Sequence, residues 1–208
     1  MIRIAVLDRH PAVRAGVDAI LRAQPGLAPA GAAADPRELW AVLYRTRPDV
    51  VLVEHDPGTR DGLAVCLRLK GGVQAPRVVL SAPDPGPELV VPATLAGADA
   101  LVDRAAELRE LARAIRTVAG GDRLLPAITP ALQAGAAERL AAQDRAILAM
   151  RLAGTTPADI AATLGLSRSD LGGRLRAIVG ALGARDGSRA PRDGDAPEIA
   201  VQALGAAA

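Results

Sequence analysis

The sequence contains no phenylalanine, and Trp40 and Tyr44 are its only aromatic residues. Base-stacking readers of single-stranded nucleic acid need a series of such rings, which this chain cannot supply. Cysteine occurs once, as Cys66, excluding an internal disulfide and a thiolate metal cluster. Two histidines, His10 and His55, leave little material for a zinc site. Lysine is equally scarce: Lys70 stands against 24 arginines. Alongside abundant Ala, Gly and Pro, that bias reads first as the coding preference of a GC-rich genome. No run approaches roughly 18 apolar residues and no charged-plus-apolar leader opens the chain, so no membrane span or signal peptide is expected. A cytoplasmic protein is the expectation.

The 208 residues suffice for one or two domains with a proper core. Net charge is only +2, but it is unevenly placed. Residues 140–185 carry six Arg against three Asp, whereas residues 186–208 are net acidic. A local excess of this kind points modestly to a polyanionic partner.

The first half alternates short apolar runs with helical patterns. Ile2–Leu7, Val50–Val53, Val78–Leu80 and Ala100–Val102 read as strands buried on both faces, with a weaker strand over Ala28–Ala32. Helical patterns cover Pro11–Ala23, Pro36–Thr46, Gly62–Leu69 and Glu107–Ala119. The alternation predicts an α/β doubly wound, parallel, five-stranded sheet of flavodoxin-like type over residues 1–119. In such sheets function gathers beyond the carboxyl ends of the strands, where Asp8, Glu54, Ser81 and Arg104 fall. Residues 120–139 read as a linker. Residues 140–185 read as a small all-α helix-turn-helix domain: Thr156 with Pro157 and Ser167 with Asp170 open two helices on either side of a Gly165 turn. Residues 186–208 are Gly/Pro/Asp/Arg-rich and predict a disordered tail, with a short helix over residues 199–204.

Val6–Pro11, Arg47–Leu52 with Asp61-Gly62-Leu63, Gly97-Ala98, and Gly154–Leu164 followed by Ser167 and Leu182-Gly183 occur in this order along residues 1–185. On these motifs the chain resembles a bacterial response regulator of the NarL/LuxR type. The resemblance implies a receiver followed by a helix-turn-helix effector. It also implies departures from the family pattern. Asp8-Arg9 stands where two adjacent acids hold Mg²⁺, and Glu54 where the phosphoacceptor Asp stands. Ser81 fits the hydroxyl position, Arg104 replaces a Lys, and Leu101 replaces an aromatic switch residue.

Mg²⁺ requires oxygen ligands in near-ideal octahedral geometry, so a guanidinium at Arg9 removes a ligand and adds a competing cation. Glu54 carries its carboxylate further out by about 1.5 Å, a costly misplacement for in-line phosphoryl transfer. The expectation is a degenerate phosphoacceptor pocket of Asp8, Arg9, Glu54, Ser81 and Arg104, without metal, cofactor or catalysis. Two states of it remain open: Glu54 paired with Arg9 or Arg104, fixing one conformation or leaving room for another small-molecule or protein ligand, or a pocket simply decayed. Pro83, Pro85, Pro87 and Pro92 predict a short or irregular surface helix before the fifth strand.

The resemblance places DNA reading on Ser167, Arg168, Ser169, Gly172, Gly173, Arg174 and Arg176, with double-stranded DNA as partner and a homodimer as the assembly. Asp170 opens the same helix. Gly172 and Gly173 each cost about 1 kcal/mol of helix stability and permit close backbone approach. The function expected is therefore a phosphorylation-independent transcriptional regulator. The alternative is an interaction module whose helix-turn-helix has degenerated. His10 is read as part of the turn into the first helix, His55 as a rim residue, Cys66 as a reduced core residue, and Trp40 with Tyr44 as a packing pair.

Overall fold

The computed structural model describes residues 1–56, 61–72 and 74–184. The apolar runs form β1 (Ile2–Leu7), β2 (Leu27–Ala33), β3 (Val50–Glu54), β4 (Arg77–Ala82) and β5 (Ala100–Asp103). They pair in the order β2-β1-β3-β4-β5, every pair parallel. All five residues of the central β3 are buried, as a strand covered on both faces requires. The weak strand is β2, an edge strand that tolerates Pro29. Its register shifts between Ile4 and Ala5, and Gly31 beyond the shift adopts φ +148°. A Cβ there would come within 2.8 Å of Val42 Cγ1, so packing as well as conformation requires glycine.

Helices α1 (Pro11–Ala23) and α5 (Leu108–Ala119) cover one face of the sheet, where Val17, Leu21, Ile115 and Val118 meet Ile4 and Val6. Helices α2 (Pro36–Thr46), α3 (Gly62–Lys70) and α4 (Val90–Ala96) cover the other. The Pro-rich entry resolves into a 3-10 turn, Pro87–Leu89, leading into α4. Pro92 is tolerated because it lies in the first helical turn, whose N–H groups have no intrahelical acceptor. The helix is short as expected, but it is not a surface helix: Val90, Val91, Ala93, Leu95 and Ala96 are buried.

The remaining helices are α6 (Pro130–Glu138), α7 (Ala142–Leu152), α8 (Pro157–Leu164) and α9 (Arg168–Gly183). The expected caps form: Thr156 accepts from the Asp159 N–H and Ser167 from the Asp170 N–H. The 120–139 segment is more structured than a linker. Leu124 bonds along β5 through the Asp99 carbonyl and the Leu101 N–H, and Thr129 caps α6. Arg139 then binds the carboxyl end of α9, donating to the carbonyls of Ala181, Leu182 and Ala184. The expected tail over residues 186–208 lies outside the described residues. Among those described, no helix is long and apolar enough to cross a membrane.

One apolar cluster runs from the sheet through α3 and α4 into Ile147, Ile160, Leu171, Leu175 and Leu182 of the helical domain. At its edge a Cβ on Gly183 would come within 2.5 Å of Leu63 Cδ1, so the end of α9 sits directly on α3. At the far end of the sheet, buried Asp99 receives Lys70 Nζ at 2.5 Å, Arg77 Nη1 at 3.0 Å and the Val78 N–H at 2.7 Å. This knot ties α3 to the starts of β4 and β5.

Candidate functional site

The carboxyl ends of β1, β3, β4 and β5 bring Asp8, Glu54, Ser81 and Arg104 to one small cavity of about 60 Å³. Glu54 is its centre, with a side chain only 1% exposed. Its Oε2 accepts the Arg9 backbone N–H at 2.8 Å, and its Oε1 accepts Arg104 Nη2 at 2.7 Å. Arg9 Nε stands 3.7 Å from the same Oε1. The Arg9 guanidinium turns outward to Asp56 Oδ2 at 3.0 Å. Two guanidiniums therefore engage two carboxylates, Glu54 and Asp56.

His10 closes the group. Its N–H donates to Asp8 Oδ1 at 2.8 Å, and its Nδ1 lies 3.1 Å from that oxygen and 3.5 Å from Glu54 Oε1. Arg9 Nε donates to His10 Nε2, so a neutral ring carries its proton on Nδ1, facing Asp8. Arg14 braces the turn by donating to the Asp8 carbonyl at 2.7 Å. Asp8, His10 and Glu54 offer ligand atoms within 4.8 Å of one another. The donor set does not suit Mg²⁺, however: both Glu54 oxygens already accept N–H groups, and a guanidinium stands at hydrogen-bond distance from one of them. The family's usual ion therefore does not fit the residues present.

The sequence reading missed Asp56 and His10 as members of this group. The available signal was their spacing, two residues after Glu54 and two after Asp8. His55 is a correction. It is not a rim residue but is 2% exposed, and neither ring nitrogen has a hydrogen-bond partner among the described residues. Burial pushes its pKa below the ordinary histidine value, against the opposing pull of Asp61 and Asp56. It borders a void shared with Asp84, Glu88 and the last residues of α9. Tyr44 is a second correction: it is 87% exposed, and Trp40 pairs instead with Arg68, whose guanidinium carbon stands 4.6 Å from the ring centroid. Cys66 is buried as expected, its thiol donating to the Ala96 carbonyl, and burial pushes its pKa up to about 12.

On α9 the candidate DNA-reading residues divide. Ser167, Arg168, Ser169 and Arg176 are exposed. Arg174 is half-buried and pairs with Asp144 of α7 at 3.3 Å, so it fastens α9 to its own domain. Gly172 and Gly173 have room for a Cβ, whose nearest neighbours would be Arg176 nitrogens at 3.6 and 3.9 Å. No contact within the described residues requires glycine at either position.

Residues 4–116 match the response regulator receiver domain family. The response regulator RamR of Streptomyces coelicolor is 33% identical over 191 residues, covering 89% of this chain and 92% of that protein. The transcriptional regulatory protein UhpA of Salmonella typhimurium is 33% identical over 168 residues, covering 80% and 84%. The DNA-binding transcriptional activator DevR/DosR of Mycobacterium tuberculosis is 28% identical over 193 residues, covering 88% and 89%. Among solved structures, a LuxR-family two-component response regulator from Aurantimonas sp. SI85-9A1 superposes with a TM-score of 0.54 at 27% identity, covering 65% of this chain and 95% of that one. RcsB from Salmonella enterica serovar Typhimurium shares the fold, with a TM-score of 0.53 at 17% identity, covering 89% and 94%. With its receiver sheet, its capped helix-turn-helix and these relatives, the chain belongs to the NarL/LuxR-type response regulators.

Proposed function

We propose that this protein is a DNA-binding transcriptional regulator that acts as a homodimer and whose receiver works without phosphorylation. The observation carrying the reading is the state of Glu54. It occupies the position that the resemblance gives to the phosphoacceptor, and Arg104 and the Arg9 N–H occupy its two oxygens. A carboxylate so engaged is a poor nucleophile, and the residues present do not fit the Mg²⁺ on which positioning of an incoming phosphoryl group relies. The pairs hold one arrangement of the β3, β5 and β1 ends, so the pocket is fixed rather than switched.

The relatives support the output. DevR/DosR is a DNA-binding transcriptional activator and UhpA a transcriptional regulatory protein. The reading face of α9 is Ser167, Arg168, Ser169 and Arg176, with Gly172 and Gly173 permitting close approach to DNA. Arg174 contributes chiefly by holding the helix. Exposed Arg168 and Arg176 in each subunit give four such arginines per dimer, a counterion-release slope of about −3.6 in a log–log salt plot. Affinity should then fall about a hundredfold between roughly 50 and 200 mM salt. Selection of sheared genomic DNA by the purified full chain, at two salt concentrations and without phosphodonor, tests this. Site-specific enrichment lost in Arg168→Ala and Arg176→Ala supports the reading. Its complete absence would favour a protein-interaction module instead.

A further inference from the structure

We infer that the cleft between the receiver and α9 is a binding site for a small organic anion with an apolar body. The cleft lies between α3 and α4 on one side and α8 and α9 on the other, with a volume of about 1040 Å³. That is at the upper end of cavities that enclose small molecules, and junctions between domains are a common place for them. Leu67 and Leu95 of the receiver and Leu171 and Leu175 of α9 supply apolar wall.

The charged groups lining the cleft all have one sign: Arg68, Lys70, Arg151, Arg168 and Arg176, with no Asp or Glu among the lining residues. Lys70 is already engaged by Asp99 and the Pro76 carbonyl. The other four are not neutralised in this way. Arg68 is stacked on Trp40, which fixes its guanidinium without supplying a negative charge. Arg151 donates from Nη1 to the Thr155 carbonyl, while its buried Nε has no acceptor among the described residues. Burial and neighbouring Arg123 both act against its charged form, and an anion in the cleft would favour that form. Together these features fit a carboxylate, sulfonate or phosphate attached to a ring system or acyl body.

Arg168 and Arg176 line this cleft and also belong to the proposed DNA-reading face. A ligand that engages them therefore competes with DNA, and by linkage DNA weakens the ligand by the same factor. This second part rests on the DNA-binding reading, whereas the cleft itself does not. Such a ligand would give the receiver an input in place of the phosphate that its pocket does not suit.

The test uses the full chain and the dye 8-anilinonaphthalene-1-sulfonate. Trp40 is the only tryptophan and lies under Arg68, so a dye in the cleft quenches Trp40 emission by energy transfer. The expected result is saturable binding of one dye per chain, with Trp40 quenched in parallel. Affinity should be at least tenfold weaker for Arg68→Ala and Arg176→Ala, for native-like circular dichroism in both, and for the uncharged N-phenyl-1-naphthylamine. Equal affinity in the wild type and both variants, or for the uncharged dye, would overturn the site. Tight binding of a ten-residue polyglutamate where the dye binds weakly would also overturn it, in favour of an acidic protein segment. On a duplex enriched by the selection above, the dye should weaken DNA binding in the wild type but not in Arg68→Ala, whose own DNA affinity stays unchanged. Dye binding that meets the first criteria in a chain that binds no DNA would uphold the cleft and overturn the DNA-binding reading alone.

Discussion

Replacing Arg104 with methionine removes the guanidinium from Glu54 while keeping most of the apolar stem. Glu54 would then remain 1% exposed, with the Arg9 N–H at 2.8 Å, Arg9 Nε at 3.7 Å and His10 Nδ1 at 3.5 Å still beside its oxygens but without its closest guanidinium contact. Breaking one side of a buried pair costs about 3–5 kcal/mol where nothing else compensates. Arg104 is a quarter exposed and Arg9 stays in place, so a cost of about 2–3 kcal/mol is expected here. With a urea slope of about 2 kcal/mol per molar, the unfolding midpoint should fall by about 1–1.5 M. The double variant Arg104→Met with Glu54→Gln removes the orphaned charge and should recover at least about 1 kcal/mol relative to Arg104→Met alone. Urea titrations followed by circular dichroism read all three midpoints. A shift below about 0.3 M for Arg104→Met, or strictly additive effects in the double variant, would refute the fixed pair as the organising contact of the pocket.

Arg139→Ala uncaps three carbonyls at the end of α9 and should destabilise the protein by about 1 kcal/mol, with faster amide exchange in the last turn of α9. Cys66, with its thiol pushed up to about 12, should resist a disulfide reagent at pH 8 in the native state and react fully in denaturant. His55 is buried and its pKa is lowered, so the unfolded chain takes up the extra proton. Stability should therefore fall as pH drops below the unfolded value near 6.5, and His55→Gln should flatten the change in urea midpoint between pH 7.5 and 5.5.

Much of this arrangement was legible in the sequence because local signals and the sheet's pattern agree. The strand runs ending at Asp8, Glu54 and Ser81, and the caps at Thr156 and Ser167, each combine a propensity with a boundary residue. The missing pieces depend on contacts that no local pattern carries. Helix α6 is Ala-rich and lacks an amphipathic stripe; its local signal was the Thr129 cap with Pro130, while the contacts of Arg139 with α9 are tertiary. The burial of α4 comes from α9 lying over it, a relation between domains. The (i, i+4) spacing placed Trp40 and Tyr44 on one side of α2 but could not say which of them meets α3, where Arg68 waits. The pocket's members at β-strand ends were readable, whereas the choice of Arg104 for Glu54 and of Asp56 for Arg9 is set by geometry across the sheet.

The proposed regulator has a receiver that does not use phosphate. Its most direct test is DNA affinity of the full chain before and after incubation with acetyl phosphate and Mg²⁺, with intact mass measured on the same samples. No added phosphoryl mass and one unchanged binding curve are expected. A phosphorylated chain that binds the selected duplex more tightly would contradict it.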